Sequence, residues 1–293
     1  AASDALGAYG TLLLPAVDAA LANNSAPEAE VVPLVRACLQ VRGSDVQALM
    51  RRYIDHPANV VREQVLAVLS ACGFHAQPDD YATLDATLLR DVVQGCQLLQ
   101  AQADIGDSSP TLTQALAEEL EQVRRRLFLL LSFRYEAEAI TRAGARLAHS
   151  VGAERARALE LLDVTLSPAH KALVFPLIDP KLERVQRLQQ LAPHCNDHAM
   201  TCDARLQALS GFGGQAWVRA CALYALAQRD TKAAAPVIEA SLNDPDPMVR
   251  ETAVWSLHRL APDRFRVHAD RLIADEDRQV ARLAVMLTAV SSS

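Results

Sequence analysis

With 293 residues, 51% of them hydrophobic, the chain has ample material for a buried core in one large domain or two ordinary ones. Aromatic residues make up 4% and glycine only 11 positions, while alanine, leucine and valine dominate, which argues against a β-sandwich or barrel and for close-packed helices, an all-α fold. The net charge of −6 is spread in mixed signs, so no long-range field favours nucleic acid or an anionic membrane surface.

The first uncharged run, Ala5 to Val17, is shorter than the roughly 20 residues of a membrane helix. No residue before Arg36 is basic, so a signal peptide's positive start is missing. The opening "AASD" lacks methionine, and the small-residue ends "AASDALGAYG" and "AVSSS" read as linker ends of a segment from a longer polypeptide. Further on, prolines and polar turns punctuate the chain, and the apolar residues between them recur at helical spacing. In "PANVVREQVLAVLSAC", Val61, Val65, Val68 and Leu69 form one stripe with Arg62, Glu63 and Gln64 turned away, an amphipathic helix. "EELEQVRRRLFLLL" surrounds Arg124. Residues 136–214 keep the helical spacing in "EAEAITRAGARLAHS", "AERARALELLDVTL" and "KLERVQRLQQLA". "GGQAWVRACALYAL" and "DPDPMVRETAVWSL" then carry Arg219 and Arg250, and "EDRQVARLAVMLT" continues the pattern around Ala281 and Arg282.

Arg62, Arg124, Arg219 and Arg250 each follow a valine just ahead of an apolar run. Arg219 and Arg250 lie 31 residues apart, and Arg62 and Arg124 twice that. A unit of this length holds one helix pair, which cannot bury its apolar face alone and must stack on its neighbours. The expected architecture is therefore a single α-solenoid over residues 1–293, a right-handed stack of about eight helical pairs. It comprises N-terminal repeats over 1–135, degenerate repeats over 136–214 where the Val-Arg mark lapses, and clear repeats over 215–293.

The Asp/Pro turn, Val-Arg pair and apolar helix of "NDPDPMVRETAVWSL" and "GGQAWVRACALYAL" resemble HEAT repeats, of the bacterial kind also grouped with phycobilisome-lyase repeats. The stretch "RRLFLLLSFRYEAEAITRAGARLAHSVGAERARALELLDVTL" with "PLIDP" is similar to the HEAT region of bacterial multidomain proteins. Those proteins also carry a nucleotide-carrier-like or major-facilitator membrane domain and sometimes a cyclic-nucleotide-binding domain. The sequence shows neither a membrane span nor a Gly-rich phosphate cassette. What the resemblance implies is a non-enzymatic scaffold or coupling module, cytoplasmic and at the inner face of the inner membrane, binding a protein partner or a neighbouring domain of its parent chain without a cofactor.

Arginine's planar fork suits the Val-Arg residues to staple a turn, reaching an acidic or carbonyl group of their own or the preceding turn, such as Asp244 near Arg250 or Asp55 near Arg62. Arg124, Arg125 and Arg126 do not make one patch, because adjacent helical residues diverge by about 100°. Trp217 and Trp255, read as comparable places in successive repeats, are core residues or interface anchors. An alternative function, a metalloprotein or enzyme, rests on "PHCNDHAMTC": on a helix, Cys195, His198 and Cys202 would share a face, and His194 would pair with His198. Four ligands from one short segment rarely close a tetrahedron, so a polar turn with a buried cysteine is the plainer expectation. None of the eight histidines precedes a glutamate, so the His-Glu pairs of HEAT-like deoxyhypusine hydroxylases are missing. The charge and sparse aromatics likewise disfavour the HEAT-like DNA glycosylases, and no cysteine or acidic cluster supports a phycobilin lyase. The six cysteines, lying in or beside apolar runs, are expected as reduced, buried thiols.

Overall fold

The structure, a computed structural model, describes residues 13–23, 26–41, 43–195, 197–211, 214–229 and 232–291. Among these residues all regular structure is helical and no strand occurs. In chain order the helices are α1 (13–22), α2 (Glu28–Val41), α3 (Ser44–Arg51), α4 (Asn59–Ala71), α5 (Tyr81–Ile105), α6 (Pro110–Arg134), α7 (Ala137–His149) and α8 (Ala153–Thr165). They continue with α9 (Pro168–Ile178), α10 (Arg184–Leu191), α11 (Cys202–Ser210), α12 (Ala216–Gln228), α13 (Ala235–Ala240), α14 (Pro247–Leu260), α15 (Pro262–Ile273) and α16 (Arg278–Ser291).

Local chemistry sets these boundaries. Proline occupies the first position of α6, α9, α14 and α15, where its missing N–H would have no partner in any case. Ser167, Thr201 and Asp246 accept from the first free N–H groups of α9, α11 and α14. Gly73, at φ 68°, turns the chain out of α4 into the left-handed region that a side chain resists. Phe74 N–H then caps Leu69 O at 3.0 Å, and the Phe74 ring meets Phe133 edge-on at 5.2 Å.

The chain forms two compact units. The first comprises residues 1–96 and 121–196, the second residues 97–120 and 197–293. The divisions at 135/136 and 214/215, drawn from where the Val-Arg mark lapses and returns, do not coincide with them. In the first unit, α2 and α3 pack on α4, α7 pairs with α8, and α9 with α10. Its core gathers Val65, Leu69, Val92, Leu127, Val174 and Leu177. Gly95 on α5 lets α9 come close: a Cβ there would lie 2.9 Å from a methyl of Leu177. In the second unit, α12 lies between α11 and α14, and α14 between α12 and α16, with α13 and α15 packed alongside α14. The side-by-side run of α12, α14 and α16 is what apolar helices at a 31-residue period produce when each needs its neighbour to cover it. Helix α12 is buried nearly all round, from Val218 to Ala227, and its alanines admit close approach.

Candidate functional site

The repeat arginines sit inside. Arg250 donates to the Asp244 and Pro245 carbonyl oxygens at 3.0 and 3.2 Å, and its Nε and Nη2 grip both carboxylate oxygens of Asp275 at 3.0 and 2.8 Å. Arg219 does the same one repeat earlier, to the Gly214 carbonyl and, at 3.1 and 2.8 Å, to both oxygens of Asp244. Asp244 and Asp275 each also accept from the N–H two residues on. For Arg219 and Arg250 the carboxylate partner therefore comes from the following repeat, and the preceding turn supplies carbonyl oxygens. Asp244 thus meets Arg250 through its main-chain carbonyl, while Asp275 supplies the carboxylate; Arg62 reaches the His56 carbonyl rather than Asp55. Burial acts to raise the Asp275 carboxyl, but the Arg250 and Asp277 hydrogen bonds and the Arg250 charge hold it below the usual carboxylate range.

In the first unit Arg62 donates to the His56 carbonyl at 2.8 Å and to Asp91 at 2.7 Å, and Arg126 reaches the same carboxylate at 3.1 and 3.2 Å. All three side chains are fully buried. Burial lowers the basicity of Arg62, with Asp91 acting against it. Arg126, not Arg124, thus shares the Asp91 carboxylate with Arg62. Arg124 lies two places away on the helix, donates to the Leu177 carbonyl at 2.7 Å and pairs with Glu121. Two further arginines join the pattern without a preceding valine. Arg187 donates to the Leu182 and Asp179 carbonyls, both at 2.9 Å, and Arg205 clasps Asp104 at 2.8 Å and Asp197 at 3.0 and 3.1 Å. Arg187 lies 32 residues before Arg219, so the repeat period itself was the signal that could have found it.

The His194–Cys202 segment is not a helix. Residues 192–194 form one 3-10 turn, the described residues from 195 to 201 are irregular, and Cys202 begins α11. The helical face imagined for Cys195, His198 and Cys202 therefore does not form. His194 and His198 are exposed, Cys195 and Cys202 half-buried, and the His198 carbonyl accepts from Arg205 at 3.0 Å. Among the described residues no three His, Cys, Asp or Glu side chains are grouped so that they could hold a metal ion. Cys38, Cys96 and Cys221 are buried, but Cys72, Cys195 and Cys202 only partly, short of the uniform burial expected of the six.

A polar relay that the sequence did not announce joins α5, α6 and α9. Tyr135 Oη accepts from Ser167 N at 3.1 Å and lies 2.7 Å from His170 Nδ1, while His170 Nε2 lies 3.0 Å from Asp85, which Arg134 also holds. With the Tyr135 hydroxyl donating to Nδ1, the ring proton sits on Nε2 and points to Asp85. Every member has its partner within the relay, so it ties helices together.

Among the described residues, the exposed aromatic side chains lie in the second unit. Tyr224 on α12 stacks on Trp255 of α14, ring centroids 5.0 Å apart at 22°, and the Arg259 guanidinium stands 5.7 Å over the Trp255 ring. Tyr224 is 44% exposed and Met286 of α16 56%, with Trp255 between them half-buried. These three positions are 31 residues apart. Trp217, 47% exposed near the start of α12, is two helical turns before Tyr224, so its repeat counterpart is Met248. The reading of Trp217 and Trp255 as comparable places is thereby corrected.

Residues 203–289 match the HEAT repeats family. The chain is all-α and built of HEAT-like helical pairs, stacked solenoid-fashion within its second unit. No curated protein and no solved structure matches the chain. Among the described residues, no helix is long and apolar enough to cross a membrane.

Proposed function

We propose that the chain is a non-enzymatic interaction scaffold whose second unit receives a protein segment along the Tyr224, Trp255 and Met286 positions. The observation that carries this reading is the recurrence of large, incompletely buried side chains at one position of α12, α14 and α16, a repeat apart. A repeat surface of this kind offers evenly spaced apolar anchors, and flat aromatic groups give contact area with little rotamer freedom to lose. Arg259 beside Trp255 adds a cation at the edge of the ridge, suited to an acidic residue flanking the apolar segment. The partner is a protein chain or a neighbouring domain of the parent polypeptide. A place at the inner face of a bacterial membrane, as the coupling part of a larger protein, is the setting we attach to this role.

Photo-crosslinking from Tyr224 and from Met286 in the native host, followed by peptide identification, tests the reading. Both positions should trap the same protein segment, and Trp255→Ala should weaken its capture about tenfold or more, as loss of a central aromatic anchor does. Capture that is indifferent to Trp255→Ala, or that maps to opposite faces of the second unit, would remove the ridge from the account.

A further inference from the structure

A pocket of about 700 Å³ opens in the first unit among α6, α7, the start of α8, the end of α9 and α10. Its volume lies in the range of sites that hold small organic ligands. The walls are apolar, built from Phe128, Leu129, Leu147, Ile178 and Pro180. Phe128 packs closely on Gly144 of α7, where an added Cβ would meet the ring at 2.9 Å, so the glycine makes room for the ring.

The charged lining is one-sided. Arg124, Arg125, Arg155 and Arg187 face the pocket, with His149, and Glu121 is the one acid among the lining residues. Glu121 is engaged by Arg124, and Arg125 has a distant pairing with Glu63 at 3.7 Å. Arg187 donates only to the neutral carbonyls of Leu182 and Asp179. Burial lowers its basicity, and the Arg124 charge lowers it further, against the opposing pull of Asp179 and Glu121. Arg155, in the first turn of α8, keeps a buried Nε that has no hydrogen-bond partner. The pocket thus holds an excess of guanidinium charge beside an apolar chamber, a combination that costs stability while empty and is relieved by an anion.

We infer that this pocket is a binding site for a small amphipathic carboxylate, its head on the Arg155 and Arg187 guanidiniums and its hydrocarbon body between Phe128, Leu147 and Ile178. The planar guanidinium matches a carboxylate in two parallel hydrogen bonds, and the apolar walls favour an acyl or aromatic body over a hydrated inorganic anion. The inference uses none of the residues assigned to the protein-docking ridge, and either can fail alone.

Titration calorimetry on the full chain with decanoate, below its micelle concentration, tests it against decanol, decylammonium and acetate. Decanoate should bind one to one, at least about tenfold more tightly than each of the other three, the discrimination expected when a charge-assisted hydrogen bond and an apolar body are both needed. Arg155→Met should weaken decanoate about tenfold with an unchanged melting temperature. Arg187→Gln should weaken it at least as much, and because that variant gives up two carbonyl contacts, its circular dichroism is recorded alongside. Decanol binding as tightly as decanoate, no saturable decanoate binding, or undiminished affinity in a folded Arg155→Met protein would each overturn the assignment.

Discussion

Both units bury arginines against aspartates, and they do it differently. In the first, Arg62 and Arg126 converge on the single carboxylate of Asp91, all three fully enclosed, with Arg62 Nε and Arg126 Nη1 left without hydrogen-bond partners. In the second, Arg219 and Arg250 each have a carboxylate of their own, Asp244 and Asp275, the first pair buried and the second slightly open to solvent at Asp275. The Asp244 carboxylate serves one repeat while its carbonyl serves the next. A regular period lets one arginine meet one aspartate repeatedly. Around the 25-residue α5 and α6 the charges gather into a knot instead.

The knot is the more vulnerable arrangement, and Asp91→Ala is the sharpest way to break it. Two buried guanidiniums would lose their shared counter-charge, at a cost of about 3–5 kcal/mol in urea unfolding. The triple variant Asp91→Leu, Arg62→Met, Arg126→Leu should recover most of that loss, because it removes the charges together. A triple variant no more stable than Asp91→Ala would mean that the knot is held by more than its charges.

Arg250→Ala should cost less, about 1–3 kcal/mol, since Asp275 can be rehydrated at the rim. Its effect should fall on the second unit, visible as hydrogen-exchange protection lost in α14 to α16 with α4 and α7 unchanged. Equal loss in both units would erase the contrast drawn between them.

A smaller effect follows from acid. Because the folded Asp275 carboxyl titrates below its unfolded value of about 3.9, its contribution is present above that value and is lost as pH falls through the folded one. The second unit's melting temperature should therefore drop below about pH 4, and Asp275→Asn should flatten that drop while lowering stability at pH 7. An unchanged acid profile in the variant would remove the ladder from the pH response.

The smallest expected effect is kinetic. Burial pushes the Cys38 thiol of the first unit and the Cys221 thiol of the second up to about 11, whereas Cys72, Cys195 and Cys202 are more accessible. Disulfide exchange at pH 8 should label the accessible three first and the buried thiols only on local opening. Asp91→Ala should speed labelling of Cys38, and Arg250→Ala that of Cys221. The reverse order would break the assignment of each network to its own unit.

Much of this protein was legible in its residues. Apolar spacing of three and four specifies helices such as α4 and α14 without reference to the rest of the chain, and proline or an Asp/Ser/Thr cap marks where several begin. The 31-residue interval from Arg219 to Arg250 follows from one helix pair per repeat, and the Val-Arg pair at both places identifies a valine in the core beside an arginine at the turn. The same mark failed at Arg124. In a helix the face that is buried depends on what packs against it, and α5 turns Arg126 inward toward Asp91, leaving Arg124 beside Leu177. Arg187 and Arg205 escaped notice because no valine precedes them, and their partners come from turns and from Asp104, 101 residues away in the case of Arg205. The Tyr224, Trp255 and Met286 positions share a period but no residue type, so only packing reveals that one surface carries all three. Local hydrogen bonding and side-chain spacing act over a few residues and can be read along the chain. Which guanidinium meets which carboxylate, and which aromatic stays uncovered, is decided by helix crossing and close packing between segments far apart in sequence.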